Sequence, residues 1–132
     1  MNELALLPDE ESSDECGGMT ESLENLREAV IGRRIVSAYQ EEHDPGITLV
    51  LDNGTKAELS AISDCCAYTE VEAFLLHPEL VDHVITGVTT EGGYTLWHIF
   101  ADMGDVLTLT IGWSEGNPCY YGYGFYIQVV PE

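Results

Sequence analysis

The chain has 132 residues, with 24 Asp and Glu against 4 Lys and Arg, for a formal net charge of -20 at pH 7. That length suits one domain with one core, and the apolar content is ordinary for a globular protein. The charge argues against binding nucleic-acid phosphates or an anionic membrane, and it favours a partner with a basic surface. The competing reading is an acidic surface that serves solubility alone.

Residues 1–21 read as a disordered acidic tail, because "PDEESSDECGG" has almost nothing to bury. Cys16 falls within it, which places that thiol outside any preorganised site. No basic region leads into a long apolar run, so no secretory signal is read here, and no run is long enough to span a membrane. Four cysteines without an export signal predict reduced thiols in a cytoplasm rather than a disulfide framework.

The folded domain is expected over residues 22–132. "TESLENLREAVIG" predicts a short N-terminal helix capped by Thr20 or Ser22, with Leu23, Leu26 and Val30 on one face and Gly32 ending it. "RRIVSAYQEE" reads as a strand and "GITLVLDNGTKAELSAI" as a hairpin. Asp52-Asn53-Gly54 supplies residues that tolerate positive φ in its tight turn. The same run lacks the other oxygen ligands and the closing glutamate of a calcium loop. In "AYTEVEAFLLHP", Ala67, Val71, Phe74 and Leu75 recur at helical spacing, which predicts a central helix over residues 66–77 closed by Pro78. "PELVDHV" adds one turn.

The last third is β-rich. Three runs are parted by Glu91-Gly92-Gly93 and Met103-Gly104-Asp105, and a final strand comes from "YYGYGFYIQVV". Short connections predict antiparallel neighbours, and there is no βαβ rhythm or internal repeat. The expected fold is α+β. It is a single domain with a curved antiparallel sheet of about six or seven strands packed with one central helix, plus the short N-terminal helix.

The most chemical stretch is "SDCCAYTE". With Ser63 or Asp64 as a helix cap, Cys65 and Cys66 would fall in a first turn, where amide N–H groups favour a thiolate. The cap carboxylate and the acidic chain oppose that. The leading expectation is two small side chains buried where the hairpin meets the helix. Two alternatives are a cysteine-based enzyme or redox sensor at Cys65 and Cys66, and a metal site that adds a histidine. For these, His77, His83, His98 and Cys119 are available, but no C-x-x-C or H-x-x-x-H spacing occurs. His98 in "TLWHIF" reads as a hydrogen-bonded structural residue with Trp97 and Ile99 on the opposite face. In "NPCYYGYGFY", Tyr121, Tyr123, Phe125, Ile127 and Val129 share one face and read as core. The glycines opposite leave room for a bulge, or for close approach of a helix or a ligand. Tyr120 and Tyr126, with Trp97 or Trp113, are the candidate anchors of a protein interface.

The succession "LREAVIGRRIVSAY", "ITLVLDNGTKAELSA", "SDCCAYTEVEAF" and "VDHVITGV" resembles a family of small uncharacterised proteins from actinobacteria and their phages. The resemblance spans Leu23 to Val130, and "LDNGT…DCCAY" is its distinctive part. It implies a domain of unknown function in a bacterial cytoplasm, and it supplies no catalytic residues. No complete catalytic constellation is spelled out and no cofactor is implied. The first functional expectation is therefore a small acidic, non-enzymatic module that binds a basic protein surface, as a phage accessory protein acting on a host protein would.

Overall fold

The structure is a computed structural model, and it describes residue 14, residues 16–116 and residues 120–131. The rest of the expected tail and Cys119 lie outside the described residues. Among the described residues one α-helix, α1 (Gly18–Val30), precedes eight strands: β1 (Ile35–Tyr39), β2 (Ile47–Leu51), β3 (Thr55–Ile62), β4 (Tyr68–Leu76), β5 (Gly87–Glu91), β6 (Leu96–Ala101), β7 (Gly104–Ser114) and β8 (Gly124–Pro131). A 3-10 turn, Pro78–Leu80, follows β4. The strands form two four-stranded antiparallel sheets, ordered β1-β2-β3-β8 and β4-β7-β6-β5. The α+β class and the single domain are as expected. No helix among the described residues is long and apolar enough to cross a membrane.

The hairpin forms as its sequence dictates. Gly54 takes φ 83 at the turn, and Leu49, Ala57 and Leu59 point into the core. Helix α1 buries Met19, Leu23, Leu26 and Val30, and Gly32 ends it at φ 88. Its start differs from the expected Thr20 or Ser22 cap. Gly17 is the N-cap and lends no side chain, while the Asp14 carboxylate reaches in to accept Met19 N–H at 3.1 Å and Thr20 N–H at 2.8 Å. Ser22 is instead a buried residue of the helix interior.

The expected central helix over residues 66–77 is strand β4, so α1 is the one α-helix among the described residues. The apolar residues there fit both periods. Thr69 and Val71 point inward while Tyr68, Glu70 and Glu72 face out, which is the alternation of a half-buried strand. The long strand β7 offers β4 a full antiparallel partner, from Tyr68 opposite Ser114 to Leu76 opposite Leu107. A bulge between Val71 and Ala73 takes up the residue that breaks the alternation.

Helix and sheets enclose one core. Trp97, Ile99, Leu107, Leu109 and Ile111 come from the second sheet, Leu49, Leu59 and Phe125 from the first, and Met19 and Leu26 from α1. Trp97 of β6 meets Phe125 of β8 edge to face across the sheets, with ring centroids 5.8 Å apart, a contact worth about 1 kcal/mol beyond its buried area.

The two sheets do not close into a barrel. Where β8 runs past β4 and α1, two buried hydroxyls take the place of a strand partner. Thr69 Oγ1 accepts Gly124 N–H at 2.6 Å, and Ser22 Oγ accepts Phe125 N–H at 2.8 Å while donating to Gly18 O at 2.7 Å. Gly124 is required here twice over. Its φ is 101, and a Cβ would stand 2.8 Å from both Gly18 O and Ser22 Oγ. A second tie joins β4 to the connection between β1 and β2, where Val71 N–H donates to Pro45 O at 2.7 Å and Gln40 Nε2 to Val71 O at 2.9 Å.

Removing the Thr69 hydroxyl as Thr69→Val keeps the shape but strands the Gly124 amide in the interior. Urea denaturation should show a loss of about 1–3 kcal/mol, whereas the exposed control Thr110→Val stays within about 0.5 kcal/mol of the parent. Equal stability for both variants would contradict the seam.

Candidate functional site

Three segments converge where β3 passes into β4: residues 63–67, residues 120–123, and the approach to α1 at Asp14 and Cys16. Asp64 organises the first. Its N–H donates to Ala67 O at 2.8 Å, its Oδ1 accepts Cys65 N–H at 2.8 Å, and its Oδ2 accepts Gly122 N–H at 3.2 Å. No helix follows, so Ser63 and Asp64 cap a turn and not a helix. This alters the reading of the cysteines. Cys65 and Cys66 are exposed free thiols, not buried packing, and their Sγ atoms stand 3.4 Å apart. The physical reason is the missing helix: without its first turn there is no apolar face for either side chain to enter. The Tyr121 hydroxyl lies beside both thiols. Its pKa is raised, first by hydrogen bonding with Cys66, then by burial, Cys65 and the Asp64 charge.

The other half of the site is a latch around Tyr123. Its hydroxyl lies 2.5 Å from Asp14 Oδ1 and 3.3 Å from Glu115 Oε1. A phenol has one proton to give, and the shorter contact assigns it to Asp14. Burial works to raise the Asp14 pKa, but hydrogen bonds from Tyr123, from the Thr20 hydroxyl and from the Met19 and Thr20 amides together hold it below 3.8. The Tyr123 hydroxyl is pushed well above its usual value by burial and by Asp14. Trp113 stacks on Tyr123 at 5.5 Å and meets Tyr94 edge to face at 6.1 Å. Cys16 beside this latch is disulfide-bonded, which corrects the expectation of four reduced thiols, and its partner is not among the described residues. A shallow recess of about 380 Å3 is lined by Cys16, Gly18 and Tyr120 to Tyr123.

The four candidate anchors separate. Tyr120 is 72 % exposed and meets the Tyr121 ring edge to face at 4.7 Å. Tyr126 is 58 % exposed, on the outer face of the first sheet opposite Ser60. Trp97 is 0 % exposed, with its indole N–H satisfied by Tyr94 O at 2.8 Å, so it is core and presents nothing to a partner. Trp113 is half-buried, and its indole N–H donates to Gly93 O at 2.8 Å.

The histidines do not assemble with the thiols. His98 Nε2 meets Glu91 Oε2 at 2.6 Å and its Nδ1 meets Asp105 Oδ2 at 2.9 Å, while His83 Nδ1 meets Asp102 Oδ1 at 3.1 Å. Trp97 and Ile99 point to the opposite face from His98, as the strand alternation requires. Among the described residues no group of three or more His, Cys, Asp or Glu is placed to hold a metal ion. Asp14, Thr69, Tyr123 and Glu115 were not singled out by sequence reasoning as a set. The one legible signal was Gly124 in an aromatic run, which marks a close approach, here by α1.

Fold and site together define a small acidic α+β protein with two antiparallel sheets and an exposed vicinal thiol pair at one end. The chain belongs to the family described as domain of unknown function DUF7448, whose model matches residues 28–127. The match takes in the thiol pair and the tyrosines, and leaves out Asp14 and Cys16. Comparison with curated proteins and with solved structures gave no match.

Two pH dependences follow. Burial tends to lower the His98 pKa, but the hydrogen bonds that His98 donates to Glu91 and Asp105, and their charges, raise it above 6.5. Its contribution to stability is full below the unfolded value of about 6.5 and is lost as pH rises through the folded value. His98→Gln should therefore cost more stability at about pH 5.5 than at about pH 8.5; a cost independent of pH would contradict the assignment. Asp14 has the opposite sign. Its contribution is present above 3.8 and is lost as pH falls through the lower folded value. Tyr123→Phe should cost about 1.5–3 kcal/mol near neutral pH, and that cost should shrink in acid as Asp14 protonates.

Proposed function

We propose that this protein is a non-enzymatic binding module that docks onto the basic surface of another protein. The observation that carries the reading is the charge, 24 carboxylic side chains against 4 cationic ones. Two of those cations are already engaged within the chain, Arg27 with Glu24 at 2.8 Å and Arg34 with Asp52 at 3.3 Å. The uncompensated carboxylates create a negative field that steers a cationic partner and repels phosphates.

Tyr126 and Tyr120 supply what charge alone lacks. An exposed tyrosine offers a large apolar ring with a polar tip, the chemistry enriched at interface hot spots. Tyr126 sits on a face where Ser60, Glu58 and Gln128 are its neighbours in register, so an aromatic anchor is ringed by polar groups. The resemblance to phage proteins supports a finer version. In it the protein is a phage accessory factor that modulates a host protein by occupying a nucleic-acid site, with carboxylates standing where phosphates would lie.

The test is retention of proteins from a bacterial lysate on the immobilised chain, at about 0.05 M and about 0.5 M salt, which differ severalfold in screening length. The expected result is one specific basic partner held at low salt and released at high salt, with affinity lowered about tenfold by Tyr126→Ala. No specific partner, or retention indifferent to salt, overturns the proposal.

A further inference from the structure

The thiol pair is unabsorbed by that function, and its geometry has a consequence of its own. Cys65 and Cys66 are exposed, neighbouring in sequence, and 3.4 Å apart at sulfur. The backbone carrying them is held from three directions: the Asp64–Ala67 turn closes it, Gly122 N–H ties it to the C-terminal segment, and Gly116 packs flat against it. At Gly116 a Cβ would stand 2.7 Å from Cys66 O. The two side chains therefore share one side of a fixed turn, with the Tyr121 hydroxyl beside both sulfurs.

We propose that Cys65 and Cys66 form a reversible two-electron redox couple whose oxidant is a low-molecular-weight disulfide. One cysteine, as thiolate, attacks a sulfur of the small disulfide. A mixed disulfide forms, and the other half leaves as a thiolate that takes up a proton. The second cysteine, also losing its proton, attacks its neighbour's sulfur. The Cys65–Cys66 bond forms and the remaining half leaves as a thiol. In balance, the protein dithiol is oxidised to a disulfide and one small disulfide is reduced to two thiols.

Two constraints shape this chemistry. Adjacent Cα atoms are about 3.8 Å apart, below the span of about 4.4–6.8 Å that disulfides usually bridge. The bond is consequently strained, and strained, exposed disulfides are the labile ones that small thiols reopen. The second constraint is charge. The acidic chain, with Asp64 at the thiols, repels anionic disulfides and concentrates cationic ones. This selects cystamine, a cationic disulfide, as the probe.

The full chain, with Cys16 in its disulfide and Cys65 and Cys66 as free thiols, is treated with cystamine, residual thiols are alkylated, and the peptide holding Cys65 and Cys66 is weighed. The expected product has neither cysteine alkylated and no retained cysteamine, and excess 2-mercaptoethanol restores both thiols. Cys65→Ser and Cys66→Ser should each retain one cysteamine, because the resolving thiol is gone. These substitutions lie in an exposed turn outside the core, so the variants report on chemistry and not on folding. Four results overturn the couple: wild-type peptide that keeps two cysteamines, thiols that remain alkylatable, a pair that 2-mercaptoethanol does not reopen, or a disulfide joining Cys16 to either residue.

Discussion

The structure hangs on how β8 ends its pairing. One edge of β8 is fully laddered to β3, from Thr55 opposite Pro131 to Ile62 opposite Gly124. The other edge begins inside the protein, where an unpaired amide costs a few kcal/mol. Thr69 and Ser22 meet that cost with one hydroxyl each, from the second sheet and from α1. These two contacts join the three parts of the fold at a single point. They also explain why the sheets remain open: a side-chain oxygen satisfies one amide but cannot propagate a ladder. Gly124 is the backbone counterpart, since only a residue without Cβ lets the helix come near enough for Ser22 to reach.

The position of the candidate site follows from that seam. With β8 pinned at Gly124, the residues just before it are delivered to the turn between β3 and β4. Gly122 then reaches Asp64, and Tyr121 reaches the thiols. Tyr123 extends the same junction to the N-terminal side through Asp14, whose carboxylate also serves the start of α1. One short stretch thereby ties together the helix, both sheets and the exposed cysteines. The Tyr121 hydroxyl lies beside the thiols and its ring meets that of Tyr120, which the surface presents.

Charge and core are nearly independent in this chain. Among the described residues the carboxylates are overwhelmingly outside, and Glu115 is the one that is buried. The interior is aliphatic and aromatic, with Trp97 at its centre. The surface can thus carry a strong negative field without burying unpaired charge. Its penalty is self-repulsion, which added salt relieves. Local pairings such as His98 with Glu91 and Asp105 place cationic character among the acids where the second sheet would otherwise set two carboxylates side by side.

Much of the fold was legible in local signals. Gly32 as a helix end, Asp52-Asn53-Gly54 as a hairpin turn, the alternation of Trp97 and Ile99 about His98, and the α+β class all rest on backbone preferences or short periodicities that act within a few residues. Residues 66–77 were not legible. Val71, Phe74 and Leu75 satisfy a helical spacing, Thr69 and Val71 a strand spacing, and the decision belonged to β7, which offers a long unpaired edge from far along the chain. The exposure of Cys65 and Cys66 was not legible for the same reason, because their expected burial depended on the helix that β4 replaced. Trp97 and Tyr126 could not be told apart as core and surface until the sheets were stacked. The sequence by itself determined the charge, the turns and the inward and outward alternation of most strands, since these need only neighbouring residues. Tertiary structure alone decided the identity of β4, the hydroxyl seam, the Asp14–Tyr123 latch and the exposure of the thiol pair. Each of these depends on contacts between residues distant in sequence, whose partners no local pattern can name.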